Sequence, residues 1–281
     1  MDTLILGLVS NCWREQLRAD TPLEQLIGEA VQLGYSVIEL RQTCLGEFET
    51  GTECLPDADA LRRLSSLFSD TQFNVAVALP FLSPKSIPAG TLFQAGLSAA
   101  LGVCGRFTPH LRLVDLTTHI DELCGAECDA AATAVAALSD SAAEAGVMLS
   151  LENSIQPWNQ FREVFRHGLS RCRNSSGFRL CYDPANLLLQ PDPVRPGEIT
   201  RSLVAHELSM VHFKQRAKGR FLPSVRDGDI DWRQQLDALA QIEFSGPALF
   251  EIESSADVWQ SLEDSRRYLQ TQGGEFALPG G

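Results

Sequence analysis

The chain is predicted to fold as a single-domain α/β protein, a (β/α)8 TIM barrel, and three observations predict it. Eight apolar runs of strand length recur along the 281 residues, their starts about 30 to 40 residues apart, the length of one strand–loop–helix unit. The runs are apolar on both faces, as strands of a parallel sheet covered by helices should be. Helical patterns lie between them, which leaves a closed barrel or an open doubly wound sheet. No GxGxxG and no GxxxxGKS/T follows any run, so the usual signature of the open sheet is missing.

Taken in order, the first strand is read at Leu4–Val9. Thr21-Pro-Leu-Glu24 opens the next helix with a capping box and a proline at its first position. Gly34 stands where a left-handed cap would end that helix, before a strand at Ser36–Leu40. Helix Asp57–Ser69 leads to strand Asn74–Leu79, and helix Thr91–Leu101 to strand Leu111–Leu116. Helix Asp121–Ala145, closed by Gly146, precedes strand Val147–Leu151; helix Asn159–Arg171 precedes strand Phe178–Tyr182. Helix Pro196–Glu207 and strand Ser209–Phe213 follow, then helix Asp231–Ile242, Gly246, strand Ala248–Ile252 and helix Ala256–Leu269. Residues 1–272 are thus read as the barrel domain. The tail Gly273–Gly281, rich in glycine and proline, is expected to fray as a flexible terminus. There is no internal repeat beyond the strand–helix rhythm, no low-complexity tract and no linker.

Composition narrows the function. Hydrophobic residues make up 44% and charged residues 21%, enough apolar material for a large core. A formal net charge of −13 argues against a nucleic-acid partner, which requires clustered Lys and Arg. The eight cysteines form no CxxC pair, and Cys124-Gly-Ala-Glu-Cys128 has no second pair or suitably spaced histidine nearby. They read as reduced thiols. The opening MDTLILGLVSNCW is neither a signal peptide nor long enough to span a bilayer, so a cytoplasmic protein with no membrane partner is expected.

In such barrels chemistry gathers at the C-terminal ends of the strands. The first strand offers Asn11 and Trp13, the second Glu39 and Arg41, the fourth Arg112 and Asp115. The last four end in Glu152, Asp183, His212 and Glu251. Each alone has an ordinary explanation: a cap, a solvated loop charge, a satisfied core histidine. Together, three carboxylates and an imidazole converging in a barrel would repel one another without a cation. An oxygen-rich set with one nitrogen suits one divalent metal ion: Mn²⁺, Mg²⁺, Co²⁺ or Zn²⁺.

The segments Leu151-Glu-Asn153, Asp183-Pro-Ala-Asn186, His212-Phe-Lys214, Gly228-Asp-Ile-Asp-Trp232 and a strand-eight Glu251 resemble the xylose isomerase-like barrels, and within them the sugar phosphate isomerase/epimerase group. Val37-Ile-Glu-Leu-Arg41 resembles that family's early glutamate strand. The resemblance spans nearly the whole chain in element order and is most specific from Glu152 to Glu251. It implies that Glu152, Asp183, His212 and Glu251 bind one divalent cation and that Glu152 and Glu251 also move protons. It further implies dimers or larger assemblies. The physical basis is direct: the cation stabilises the enediolate formed when a carbon-bound proton leaves a hydroxyketone or aldose, and carboxylates on opposite sides can remove and return the proton.

Further positions can touch the substrate. Asn186 is a candidate contact, or a plain turn residue. Glu39 can orient a substrate hydroxyl or pair with Arg41. Trp13 and Trp158 can wall a sugar face or simply pack. After the seventh strand, Lys214, Arg216, Lys218 and Arg220 occupy every second position, followed by Arg226. In so acidic a chain this run either holds an anionic end of the substrate or forms a solvated lid, with Lys214 and Arg216 the leading contacts. Three positions depart from the family's ketose 3-epimerases: Asn153 and Trp158 stand where proline and a further glutamate are usual, and Gln215 where an acid is common. Five histidines and an acidic surface do not supply the three-metal set of endonuclease IV-like members.

The sequence therefore points to a metal-dependent isomerase or epimerase of a small sugar, sugar phosphate or hydroxy-carbonyl compound, working through an enediol(ate). A dehydratase of an inosose or dehydroshikimate-like keto compound is the alternative on the same fold. A barrel that binds a ligand without turnover is the third reading.

Overall fold

The computed structural model describes residues 3–51, 54–79, 81–82, 100–105, 108–116, 125–190 and 194–277. Within them lie β1 (Ile5–Val9), β2 (Val37–Arg41), β3 (Gln72–Ala78), β4 (His110–Val114), β5 (Met148–Glu152), β6 (Phe178–Tyr182), β7 (Leu208–Phe213) and β8 (Pro247–Phe250). Each strand pairs in parallel with its sequence neighbour, and β8 closes on β1. This is the closed barrel the sequence predicts, with strand ends displaced by one or two residues.

Helices Leu23–Gln32, Ala58–Leu67, Gly125–Glu144, Trp158–Arg171, Pro196–Arg201, Trp232–Gln241 and Val258–Thr271 alternate with the strands, and residues 100–105 are also helical. Residues 91–99 of the expected helix Thr91–Leu101, and residues 121–124 of the expected helix Asp121–Ala145, Cys124 among them, lie outside the described residues. Asp57 caps its helix by accepting the amides of Asp59 and Ala60, and Asp231 accepts that of Gln234. The capping box expected at Thr21 does not form. Pro22 is the capping residue, with no side-chain bond, and Glu24 instead accepts from Arg63 on the following helix. Gly34 and Gly146 adopt the left-handed conformation expected of them. Gly246 does not. Glu243, at φ 59°, makes that turn, and Gly246 is required because a Cβ there would meet the Phe244 ring at 2.7 Å.

The main core lies between strands and helices. A second apolar cluster joins Val9, Val37, Cys181, Met210 and Leu249. Side chains alternate along a strand, so Val37, Cys181, Met210 and Leu249 share a face with Glu39, Asp183, His212 and Glu251, each two residues further on. The apolar layer is the floor of the barrel mouth, and the polar layer stands on it.

The described part of the tail, Gly273–Ala277, lies along β1. The Leu4 amide donates to the Glu275 carbonyl and Ala277 to that of Leu4, while Phe276 packs 6.1 Å from Phe213, ring centre to ring centre. Burying that ring holds the segment along β1. Among the described residues no helix is long and apolar enough to cross a membrane.

Candidate metal centre and active site

Glu152 ends β5, Asp183 follows β6, His212 lies on β7 and Glu251 follows β8. Each offers a ligand atom, all four atoms lie within 4.8 Å of one another, and all four residues are buried. The Nδ1 atom of His212 faces the acids, 3.4 Å from Glu152 Oε1, 3.3 Å from Glu251 Oε2 and 3.9 Å from Asp183 Oδ2. Its Nε2 atom lies 3.4 Å from Cys181 Sγ and 3.9 Å from Glu39 Oε1.

Local bonds aim each ligand. The Asn153 side-chain amide donates to the Asp183 carbonyl and accepts the Asp183 N–H, both at 2.8 Å, locking the end of β6 to that of β5. Asp183 Oδ1 accepts the amides of Ala185 and Asn186, which leaves Oδ2 for the cluster. Asn186 Nδ2 donates to Glu152 Oε1 at 3.2 Å, so the Asp-Pro-Ala-Asn turn orients two ligands at once. Asn11 Nδ2 donates to Glu251 Oε1 at 3.1 Å.

A buried arginine and a partly buried lysine complete the site. Arg112, on the inner face of β4, donates Nε (3.0 Å) and Nη2 to Glu39 Oε1 and Nη1 to Glu152 Oε2. Lys214 Nζ lies 2.7 Å from Glu251 Oε2 and 3.3 Å from Asp183 Oδ2, and 4.7 Å from the centre of the Phe221 ring. Burial acts to raise Glu152, but the Arg112 guanidinium and His212 together bring it below the ordinary carboxylate range. Burial acts likewise on Glu251, yet Lys214 beside it holds it well below that range. Asp183, the least compensated, is raised by burial. Cys181 is pushed by burial up to about 12 and stays a thiol.

These residues fit a divalent ion on three counts. His212 Nδ1 is buried with no hydrogen-bond partner although three carboxylates surround it. Among the described residues the carboxylates of Glu39, Glu152, Asp183 and Glu251 stand against Arg112 and Lys214, which leaves a formal charge of −2 for these six groups when His212 is neutral. Hard oxygen donors with one imidazole nitrogen are the set that Mn²⁺, Mg²⁺, Co²⁺ and Zn²⁺ share.

The remaining sequence candidates divide. Asn186 and Lys214 join the cluster. Glu39 is there too, but its partner is Arg112. Arg41, named for that role, donates Nη1 towards Cys44 Sγ at 3.9 Å, because at the strand end its side chain reaches the following loop. Arg216 is committed to the carbonyls of Leu188 and Gly219, at 2.7 and 3.1 Å, and lies over the Phe221 ring. The basic run is thus a hairpin, Arg216–Ala217 against Arg220–Phe221, turning at Lys218 and Gly219. Trp13 is fully buried, 5.9 Å from Trp259 between ring centres, and Trp158 packs on Phe161 and Tyr182. Both take the packing alternative. The centrality of Arg112 was the miss. Its signal is an arginine set between two leucines of a buried strand.

The family model described as xylose isomerase-like TIM barrel matches residues 27–272. No curated protein matches the chain. Among solved structures it is similar to an IolI protein with a bound zinc atom, at 16% identity and a TM-score of 0.71 over 97% of this chain and 96% of that one. It is similar to a D-tagatose 3-epimerase-like protein at 15% identity and a TM-score of 0.68, covering 97% and 98%. A D-allulose 3-epimerase from Methylomonas sp., in complex with D-allulose, gives 16% identity and a TM-score of 0.66, covering 95% and 90%. At these identities the likeness is one of fold.

Proposed function

This chain belongs to the xylose isomerase-like TIM barrel family, and from that premise we propose that it is a divalent-metal-dependent isomerase or epimerase of a small sugar, sugar phosphate or hydroxy-carbonyl compound. The observation that carries the reading is the convergence of Glu152, Asp183, His212 and Glu251 within 4.8 Å around an unpartnered imidazole nitrogen. Those four residues would hold the ion. When bound, it would polarise the substrate carbonyl and stabilise enediolate charge.

The protein's own groups do the rest. Glu152 and Glu251 approach His212 from different strands and are both held as carboxylates, Glu152 by Arg112 and Glu251 by Lys214. Either is therefore competent to accept a carbon-bound proton and, once protonated by that step or by exchange with solvent, to return one. Arg112 and Asn186 fix both oxygens of Glu152, and Lys214 and Asn11 fix those of Glu251, so neither carboxylate needs to reorganise.

The test is a panel of ketoses, sugar phosphates and keto acids with Mn²⁺ in deuterated water, following isomer ratio, label incorporation and product mass. The expected outcome is incorporation at one carbon with mass otherwise conserved, abolished by EDTA and by Glu152→Gln or Glu251→Gln. Loss of one water from the product would replace the isomerase reading with a dehydratase. Label exchange unchanged in both variants, or a purified protein that binds no divalent ion, would sink it.

A further inference from the structure

The cations expected to hold an anionic substrate, Lys214 and Arg216, are engaged with carboxylates and main-chain carbonyls. A different group of arginines is not. Arg14 follows β1, Arg41 ends β2, and both reach one buried sulfur: Arg14 Nη2 lies 3.8 Å and Arg41 Nη1 3.9 Å from Cys44 Sγ. A thiol sulfur is a weak acceptor, so each guanidinium keeps most of its donors. Among the described residues neither Arg14, Arg41 nor the adjacent Arg18 forms a salt bridge with a carboxylate. Each guanidinium is therefore free to pair with an anion supplied from outside the chain.

Space is present beside them. Arg14, Arg18, Thr43, Cys44 and Glu49 line a cavity of about 450 Å³. Glu49 is the one acid in it, and its Oε1 is taken by the Leu45 amide at 2.9 Å. A smaller cavity, about 170 Å³, is lined by Arg41, Thr43 and Arg112 among others. Thr43 borders both, and its φ of 68° is a conformation that a β-branched residue rarely adopts. Arg112, in the smaller cavity, is the residue that holds Glu152.

We propose that Arg14 and Arg41 form an anion subsite at the mouth of the barrel, which takes the carboxylate or phosphate end of the substrate while its reacting carbons lie toward Arg112 and the acidic cluster. Both guanidiniums reach the same sulfur, Arg14 from the larger cavity and Arg41 from the smaller, and planar guanidinium forks suit an oxyanion. The substrate class narrows accordingly to hydroxy-carbonyl acids or sugar phosphates. This rests on the isomerase reading for the substrate's other end, but the subsite itself can be tested without turnover.

The experiment is calorimetric titration of the full-length protein with inorganic phosphate and with malonate, in wild type, Arg14→Gln, Arg41→Gln and the hairpin control Arg220→Gln, each checked for an unchanged thermal melt. Removing one charged hydrogen-bonding partner should weaken binding about tenfold or more in either subsite variant and leave the control unchanged. Whichever anion binds more tightly identifies the substrate's charged group. The subsite is overturned if wild type binds neither anion at about 50 mM, far above substrate-like affinities, if both variants bind as wild type does, or if Arg220→Gln weakens binding equally. Neither probe needs metal or chemistry. A failure of the isomerase reading would therefore show as absent metal binding with anion binding intact, and a failure of the subsite as the reverse.

Discussion

Replacing Arg112 by methionine removes the one group that two buried acids share. Arg112 is 1% exposed, and it satisfies Glu39 through Nε and Nη2 and Glu152 through Nη1. Methionine fills similar apolar length without charge, so the loss is electrostatic. Removing one partner of a buried ion pair typically costs about 3–5 kcal/mol because a desolvated charge is left behind. Glu152 retains Asn186 and the His212 contact, whereas among the described residues Glu39 keeps only the 3.9 Å approach of His212 Nε2, its Oε2 being buried without a hydrogen-bond partner. The stranded charge is therefore mainly that of Glu39, and a single-pair cost of about 4 kcal/mol is expected, a fall in melting temperature of roughly 10 °C for a domain of this size. Glu39→Gln alone keeps an oxygen that can still accept from Arg112 and removes the charge from that pair of bonds, so it should cost less, about 1.5–3 kcal/mol. In the double variant the stranded charge is gone, so its deficit should fall short of the sum of the singles by about 2 kcal/mol. Urea unfolding followed by far-ultraviolet circular dichroism, in EDTA at pH 7.5, measures all four corners. A deficit under about 1 kcal/mol for Arg112→Met, or singles that add within about 0.5 kcal/mol, would refute the shared-clamp reasoning.

Two further outcomes follow from groups outside the metal cluster. His110, fully buried, is pushed by burial down to about 3, with the Arg112 charge adding to the effect and Ser150 Oγ 2.7 Å from Nε2. The unfolded chain takes up a proton near pH 6.5 and the folded chain does not, so this residue's contribution falls as pH drops below 6.5: about 1.4 kcal/mol should be lost at pH 5.5, and His110→Gln should lack that component of the pH slope in urea midpoints. Parallel slopes in the two proteins would count against it. Gly7 lies on β1, and a Cβ there would sit 2.6 Å from the Val37 carbonyl oxygen and 2.8 Å from Leu249 Cγ. Gly7→Ala should therefore destabilise by about 1–3 kcal/mol through overpacking of the barrel interior, and a thermal melt at or above that of wild type would contradict the packing described.

The barrel was legible because parallel strands covered on both faces leave continuous apolar runs, and this chain has eight at regular spacing. Its failures share one cause, which is that local signals were spent on distant partners. Glu24 has the spacing of a capping residue but is drawn to Arg63, thirty-nine positions away. Gly246 has the position of a helix cap but is dictated by the Phe244 ring. The tail's glycines read as a loose end, and the partly buried Phe276 behind them packs against Phe213, a contact that local composition does not show. The four convergent residues at the ends of β5 to β8 were legible for the opposite reason: strand order alone brings them together, and no contact had to be guessed. Arg112 could not be found that way. Its partner Glu39 lies seventy-three residues earlier and on a strand that is not its neighbour, since β3 stands between them. The pairing runs across the barrel interior, which no spacing along the chain encodes.

The departures from the resembling family also become intelligible once the partners are known. Asn153 bonds both main-chain groups of Asp183, and only a side chain with a donor and an acceptor in one plane does both; proline at that position has neither. Gln215 makes the same argument more strongly. Its Nε2 donates to the carbonyls of Arg226 and Ile230 at 2.6 and 3.0 Å, and its Oε1 accepts the amides of Arg216 and Ile230 at 2.9 and 3.0 Å. It is fully buried, and Gly228 leaves room for it, since a Cβ there would meet Gln215 Cδ at 2.7 Å. A carboxylate in this place would turn acceptor oxygens on two carbonyls and add a charge beside a site already at −2. The amide instead ties the loop 226–230 to the end of β7, directly behind His212 and Lys214. The residue that looks like an eroded motif in the sequence is, in the fold, the brace that sets the height of the seventh strand's ligand and its lysine.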